Sequence, residues 1–293
     1  MMSNFNNAII RHNIIFKTPI PKELMTENND VSYKFEINND KPKNDKKNTI
    51  VQLIGKNLTI PYPIKYYYNS VIPLNIFQTW HTKTLPPLMT NAVNTIINVN
   101  PRFKYCLYDD NDCRDFIKNS FPENVLNAYD TLIPGAYKAD LWRYCILYKE
   151  GGIYLDIKYK PINKFKFINL TEKEHWVLDM DNYGIYNALI VTRPGNSILL
   201  KAIEQIVENV KNKYYGGSCL EPTGPHLLAK YFNNDQRNSF DMKHNFINNF
   251  NNRFIYFNNY VILKSYNGYL DEHQNNKKVD HYGNLWNDKK IYK

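Results

Sequence analysis

The sequence predicts an α/β fold, a mostly parallel sheet flanked by helices, with a small N-terminal extension ahead of it. Three observations carry that prediction. From residue 73 onward, short apolar runs rich in β-branched and aromatic residues alternate with longer stretches of helical periodicity, the pattern of strands joined by crossover helices. Proline and glycine fall where such elements start and stop. Apolar residues make up 43% of the chain and charged residues 22%, enough core for one large domain and too little charge for a disordered chain.

Residues 74–80 (LNIFQTW) suit a buried strand, and Pro86-Pro87 opens a helix running to about residue 99. Residues 103–108 (FKYCLY) form a second strand ended by Asp109-Asp110, with Asp110 expected to cap a helix over 112–119. Pro122 starts another helix, and Pro134-Gly135 precedes one over 136–149 that the Gly151-Gly152 pair closes. Residues 153–159 (IYLDIKY) read as a strand, and 176–179 and 185–191 as two more. Asn196 caps a helix whose apolar stripe from Ile198 to Val210 is core packing. A short helix over 225–231 and a hairpin formed by 254–256 and 260–264 complete the main domain, 73–293. Residues 1–72 differ. They are rich in Asn, Lys and Pro, with apolar pieces at 9–16 and 49–54 around a polar break at 38–48, and are expected to be partly β or flexible.

Charge and cysteine usage narrow the function classes. A net charge of +9 suits an anionic partner such as nucleic acid, a charged surface or a phosphate-bearing substrate. Only residues 41–47 (KPKNDKK) cluster basic groups, and these read as a solvated linker, so no nucleic-acid partner is expected. Cys106, Cys113, Cys145 and Cys219 show no paired spacing and read as free thiols in a reducing compartment. The apolar stretch 8–16 is interrupted by Arg11 and His12, so it is no signal peptide, and no run is long enough to cross a bilayer. Cytoplasmic location and no transmembrane segment follow as expectations. Two sequons, at Asn57 and Asn169, are chance-level in so Asn-rich a chain. The abundance of Asn, Lys, Ile and Tyr points to AT-rich coding, as in a large DNA virus, a protist or an AT-rich bacterium. A viral source would place the protein in host cytoplasm or virion.

The informative block is residues 139–159 (ADLWRYCILYKEGGIYLDIKY). Asp140 and Arg143, three apart on a helix, share one face. The glycine pair lets the chain reverse so that the next strand runs back beside the helix, carrying Asp156 toward its carboxyl end. Open α/β sheets bind ligands just beyond such strand ends. Two readings stand: the three side chains converge on a ligand, or they are a structural ion pair plus a loop-capping Asp.

This block resembles the DXD sugar-binding region of glycosyltransferase family 32, whose members include the yeast α-1,6-mannosyltransferase, and it is similar to the core of the clostridial glucosylating toxins. The match runs through Ala139-Asp140, Arg143 and Gly151-Gly152-Ile153-Tyr154-Leu155-Asp156. Ile72-Pro73 with Gln78-Thr79-Trp80, Asn100-Pro101, Asp109-Asp110, Phe116-Ile117, Phe121-Pro122, Thr223-Gly224-Pro225 and His281 with Trp286 follow in family-like order. The resemblance implies a GT-A, Rossmann-like fold and retaining transfer of a hexose from a UDP- or GDP-linked sugar to a glycan or glycoprotein acceptor. It leaves UDP-glucose, UDP-galactose, UDP-N-acetylglucosamine and GDP-mannose all open. It further implies that Trp80, with Gln78 and Thr79, lies near the nucleotide base, and that Tyr137, Asn187, His226 and Trp286 join the donor pocket. Asp140 and Arg143 then bind sugar hydroxyls and steady the phosphates, and Asp156 contacts ribose or a bridging Mn2+ or Mg2+. Asp179 or Asp181 is the carboxylate that approaches the sugar, unless both belong to an acidic turn.

One position departs from the pattern. The family's second Asp is Lys158, so the motif reads Asp156-Ile157-Lys158. A protonated lysine cannot ligate a metal. Three readings follow: the metal stays, held by Asp156, His281 and diphosphate oxygens; Lys158 replaces it; or the site binds donor without turnover.

Overall fold

The computed structural model describes residues 60–247 and 252–293. Most of the expected extension, with the 41–47 linker and the Asn57 sequon, lies outside the described residues. Its described part packs on the main body. Tyr62 donates its N–H to the Asn163 carbonyl at 2.7 Å and sets its ring against Phe257, and Ile72 is buried.

The elements are β1 (Asn75–Thr79), α1 (Pro87–Val99), β2 (Lys104–Tyr108), α2 (Asp110–Ser120), α3 (Glu123–Thr131), α4 (Gly135–Glu150), β3 (Gly152–Leu155), β4 (Tyr159–Pro161), β5 (Val177–Leu178) and β6 (Leu189–Thr192). The chain continues through α5 (Ser197–Lys211), α6 (Pro225–Ala229), α7 (Asn234–Asn238), β7 (Met242–Ile247), β8 (Asn252–Phe257), β9 (Tyr260–Ser265), α8 (Tyr269–Asn276) and α9 (Tyr282–Asn287).

Two sheets form. The first runs β2-β1-β3-β6, with β1 parallel to both β2 and β3, and β6 antiparallel to β3. The second runs β4-β9-β8-β7-β5 and is mainly antiparallel. The expected mostly parallel sheet is therefore correct for the first sheet alone, and the molecule as a whole is mixed α/β. Alternation along the strands sorts side chains by face. Phe77, Tyr154 and Ile190 face the helical layer of α4 and α5, whereas Ile76, Ile153, Leu155, Leu189 and Val191 join a second core with Met242, Ile255 and Ile262 of the other sheet.

The reversal that brings β3 beside α4 rests on two glycines with positive φ. Gly151, at +60°, ends the helix, and its N–H bonds the Leu147 carbonyl. Gly152, at +112°, lets the chain pass so close to β1 that an added Cβ would stand 2.9 Å from the Asn75 carbonyl.

Three expectations shift. The strand expected over 153–159 ends at Leu155, because Asp156-Ile157-Lys158 forms a turn, closed by the Tyr159 N–H on the Asp156 carbonyl, that hands the chain to the second sheet. The strand expected over 185–191 begins only at Leu189, leaving Asn187 outside the ladder. The cap of α2 is Asp109, not Asp110: its carboxylate accepts from the N–H groups of Asn111 and Asp112, while Asp112 accepts from Asp109. Strand β7 was not anticipated at all.

Replacing Gly152 by Ala is expected to cost about 1–3 kcal/mol from the backbone conformation alone, and more from the Asn75 contact. Gly135→Ala, at a helix start with nothing within 4 Å, is expected to gain about 0.4–1 kcal/mol. Urea denaturation of the two variants checks the contrast.

Candidate active site

The first sheet has its strand order reverse at β1, with one connection leading to β2 and the later chain returning on the other side as β3. In open α/β sheets such a point, beyond the carboxyl ends of the two strands, is where ligands bind. Thr79-Trp80 ends one and Leu155-Asp156 the other. Helix α4 lies over them and is buried almost all round through its middle, so Asp140 and Arg143 are inside the protein.

A buried guanidinium must be paired. Arg143 is 5% exposed and bridges both carboxylates: 3.2 Å to Asp140 and 3.3 Å to Asp156. Its NH1 also donates to the Asn187 carbonyl at 2.8 Å, and its Cζ lies 4.3 Å from the centre of the Tyr154 ring. Asp140 accepts from Thr223 Oγ1 at 2.7 Å and from Asn187 Nδ2 at 2.8 Å, the donor set an ionised carboxylate calls for. Burial raises its pKa against those donors and Arg143. Tyr144 completes this floor, accepting from Asn187 Nδ2 and donating to the Thr223 carbonyl.

Asp156 is the most open of the three, with 22% of its side chain exposed. Oδ1 accepts from the Tyr154 hydroxyl at 2.8 Å, and Oδ2 is held by the Lys158 ammonium. Burial pushes this carboxyl up, but the Lys158 and Arg143 cations hold it below the usual carboxylate range. Lys158 is 7% exposed, so the turn does not send it to water. Burial and Arg253 work against its charge, yet Asp156, Tyr186 and Tyr269 hold its pKa above the ordinary lysine value.

The structure thus brings Asp140, Arg143, Asp156, Lys158 and Asn187 together. The remaining sequence-selected residues make other contacts. Gln78 is fully buried and clasps β1 to its neighbours, donating to the Leu155 carbonyl at 3.2 Å and accepting from the Tyr105 hydroxyl at 2.8 Å. Thr79 donates to the Tyr108 carbonyl. Tyr137 is core, its hydroxyl on the Cys219 carbonyl. Trp286 donates to the Tyr215 carbonyl and packs beneath Lys289. His226 pairs with Asp181 at 2.8 Å and with Ser218, and Asp181 closes the turn through the N–H groups of Tyr183 and Gly184. Trp80 keeps a buried indole N–H without a partner among the described residues.

Asp179 is not the solvated turn residue of the plainer reading. It is buried and accepts from His244 Nδ1 at 2.8 Å, and His244 stacks flat on Tyr186 at 3.7 Å. Burial holds His244 below its usual pKa, leaving the neutral ring with Nε2 buried and unpartnered among the described residues. His244, Tyr144 and Arg253 carry no local sequence signal, and Tyr154 stands in the matched motif without a role of its own. Thr223 stood in a recognised motif, but its bond to Asp140 spans 83 residues.

The metal implied by the resemblance does not fit these side chains. Both Asp156 oxygens already carry cationic or hydroxyl donors. His281, the expected second ligand, caps α9 with Nδ1 accepting from the Gly283 N–H. Among the described residues no three His, Cys, Asp or Glu side chains are grouped to hold a metal ion.

Residues 86–177, which include α4, β3 and the Asp156 turn, match the family model described as a glycosyltransferase sugar-binding region containing DXD motif. Inositol phosphoceramide mannosyltransferase 3 of Schizosaccharomyces pombe is 30% identical over 163 residues, 55% of this chain and 45% of that protein. An initiation-specific alpha-1,6-mannosyltransferase of Candida albicans is 30% identical over 115 residues, 36% of this chain and 30% of its own. The chain therefore spans less than half the length of these relatives. Among solved structures, the PaToxG glycosyltransferase aligns over 62% of this chain and 72% of its own, at 18% identity and a TM-score of 0.43.

Arg143→Met removes the shared partner of two carboxylates and is expected to cost about 3–5 kcal/mol in urea denaturation. In an Asp140→Asn background the same change is expected to cost measurably less, because one uncompensated charge is gone.

Proposed function

We propose that this protein is a retaining glycosyltransferase that moves a hexose from a UDP- or GDP-linked sugar to a hydroxyl of a glycan or glycoprotein acceptor. The observation that carries the reading is two carboxylates and two cations gathered at the carboxyl ends of β1 and β3, inside the segment matched to the sugar-binding family model. The names of the two relatives, both mannosyltransferases, support a hexose as the group transferred. Among the described residues no helix is long and apolar enough to cross a membrane. The four unpaired cysteines support a reducing compartment such as the cytoplasm.

In the reaction, the bond between the sugar's anomeric carbon and the diphosphate oxygen breaks, and its electron pair leaves with the nucleoside diphosphate. The acceptor oxygen bonds to that carbon on the same face, and its proton passes to the departing phosphate oxygen. Retention through an enzyme ester needs a free carboxylate. Asp140 and Asp156 are committed to cations, and Asp179 is buried with one oxygen, Oδ1, taking both His244 Nδ1 and the Met180 N–H. These commitments favour front-face departure within an ion pair. Arg143 then supplies fixed positive field in a water-poor site, where it weighs far more than in bulk solvent. Asp140, locked by Thr223 and Asn187, orients the sugar hydroxyls, and Trp80 offers its indole at the end of β1 to the base.

A second reading, a sugar-nucleotide-binding module without turnover, draws on the Lys158 substitution in the motif. A melting-temperature screen of UDP- and GDP-sugars is expected to show stabilisation by at least one, since a ligand that binds only the folded state raises its melting point. With that sugar nucleotide, hydrolysis or transfer is expected to fall about 10²–10³-fold in Asp156→Asn. Unchanged turnover in that variant removes Asp156 from the machinery, and binding without any turnover in the native protein selects the second reading.

A further inference from the structure

The motif departure at Lys158 coincides with three structural facts that concern the leaving group. Lys158 lies in the turn that closes β3, beyond the strand's carboxyl end, and its backbone is pinned there by the Tyr266 N–H on its carbonyl at 2.9 Å. The side chain is buried, with Nζ 5.3 Å and 5.5 Å from the ring centres of Tyr159 and Tyr186. Among the described residues its only hydrogen-bond partner is Asp156, which Arg143 also claims. An ammonium has three donors. Two cations therefore share one carboxylate, and Arg253 stands beside them with its Nε unpartnered among the described residues. Arg143, Lys158 and Arg253 are thus gathered around the carboxylates of Asp140 and Asp156.

Resting on the glycosyltransferase reading, we propose that Lys158 performs the work of the divalent ion: it is a catalytic residue that binds the donor diphosphate and stabilises the charge that develops on it, so that sugar-nucleotide binding needs no metal. A compact ammonium is a well-suited phosphate partner, and it acts as a point charge without geometric demands on its ligands. During transfer it keeps its proton. The electron pair of the broken bond settles on the diphosphate oxygen, and the acceptor's proton goes to the same leaving group, so Lys158 supplies field alone. Asp156 has changed task accordingly: it holds Lys158 and Arg143 at the strand end. The residues that do not fit a metal fit a fixed cation.

The test uses UDP and GDP as probes, with binding to the full-length protein measured by calorimetry in EDTA and again with Mn2+. At least one nucleotide is expected to bind in EDTA, with an affinity that changes less than about threefold on adding Mn2+, a difference under ~0.7 kcal/mol. Lys158→Ala is expected to weaken that binding about 10–100-fold, as loss of a charge-assisted contact does, and Lys158→Arg to retain most of it. Lys158→Asp, which rebuilds the two-carboxylate pattern, is expected to bind only with Mn2+. Thermal melts of each variant confirm folding, and the EDTA comparison on the native protein needs no variant. Native binding that appears only with Mn2+ overturns this inference and leaves the glycosyltransferase reading intact. Undiminished binding by folded Lys158→Ala likewise overturns it. Failure of both nucleotides to bind under either condition overturns both.

Discussion

The Arg143 guanidinium is the constraint on which the rest of this site depends. It sits in a helix that is buried almost all round through its middle, a place where an unpaired charge is not tolerated, and its three kinds of contact reach three separate stretches of chain. Asp140 lies one turn back on the same helix, Asp156 at the end of the adjacent strand, and the Asn187 carbonyl on the approach to the antiparallel edge strand. Satisfying one buried cation thus sets the spacing of helix, strand and loop at this site. The carboxylates are held in turn by Tyr154, Thr223 and Asn187, so little is left to side-chain freedom. Such a site is ordered before any ligand arrives, which is the condition for electrostatic stabilisation to act without reorganisation.

Much of this was legible in the residues, because it is local. The helix, the glycine pair and the following strand are consecutive, and their signals, Pro134-Gly135 at the helix start, Gly151-Gly152 at its end and a β-branched and aromatic run, are short-range. The pairing of Asp140 with Arg143 follows from helical spacing, and their meeting with Asp156 from the reversal at Gly151-Gly152. Where sequence reasoning failed, distance or composition was the cause. Gln78 reads as a ligand because it precedes Trp80 in a motif, whereas its amide is spent joining β1 to β3 and to Tyr105. Thr223 and His244 reach their carboxylates across 83 and 65 residues, separations that no local pattern reports. Strand β7 runs through an Asn-rich stretch in which polar residues interrupt the alternation, so it shows only once its neighbours are in place.

The exchange of a second carboxylate for Lys158 also shows how one substitution is absorbed by its surroundings. The ammonium is enclosed by Asp156 and by the rings of Tyr159 and Tyr186, and these tyrosines bond each other at 2.9 Å. Tyr186 in turn stacks on His244, whose Nδ1 is fixed by Asp179. A buried lysine is thereby surrounded by π faces and one carboxylate, an environment that favours the charged form. The neutral His244 at the far end adds no competing charge.

The turn at 156–158 is where the chain leaves one sheet and enters the other: β3 ends before it, and β4 begins after it against β9. Loss of the β4–β9 pairing would release the Lys158 carbonyl from Tyr266 and, with it, the anchor of the ammonium. The two sheets are therefore joined at this seam, and a bound anion drawing on Lys158 would brace both at once. Amide protection there would report occupancy from a part of the molecule that never meets the sugar.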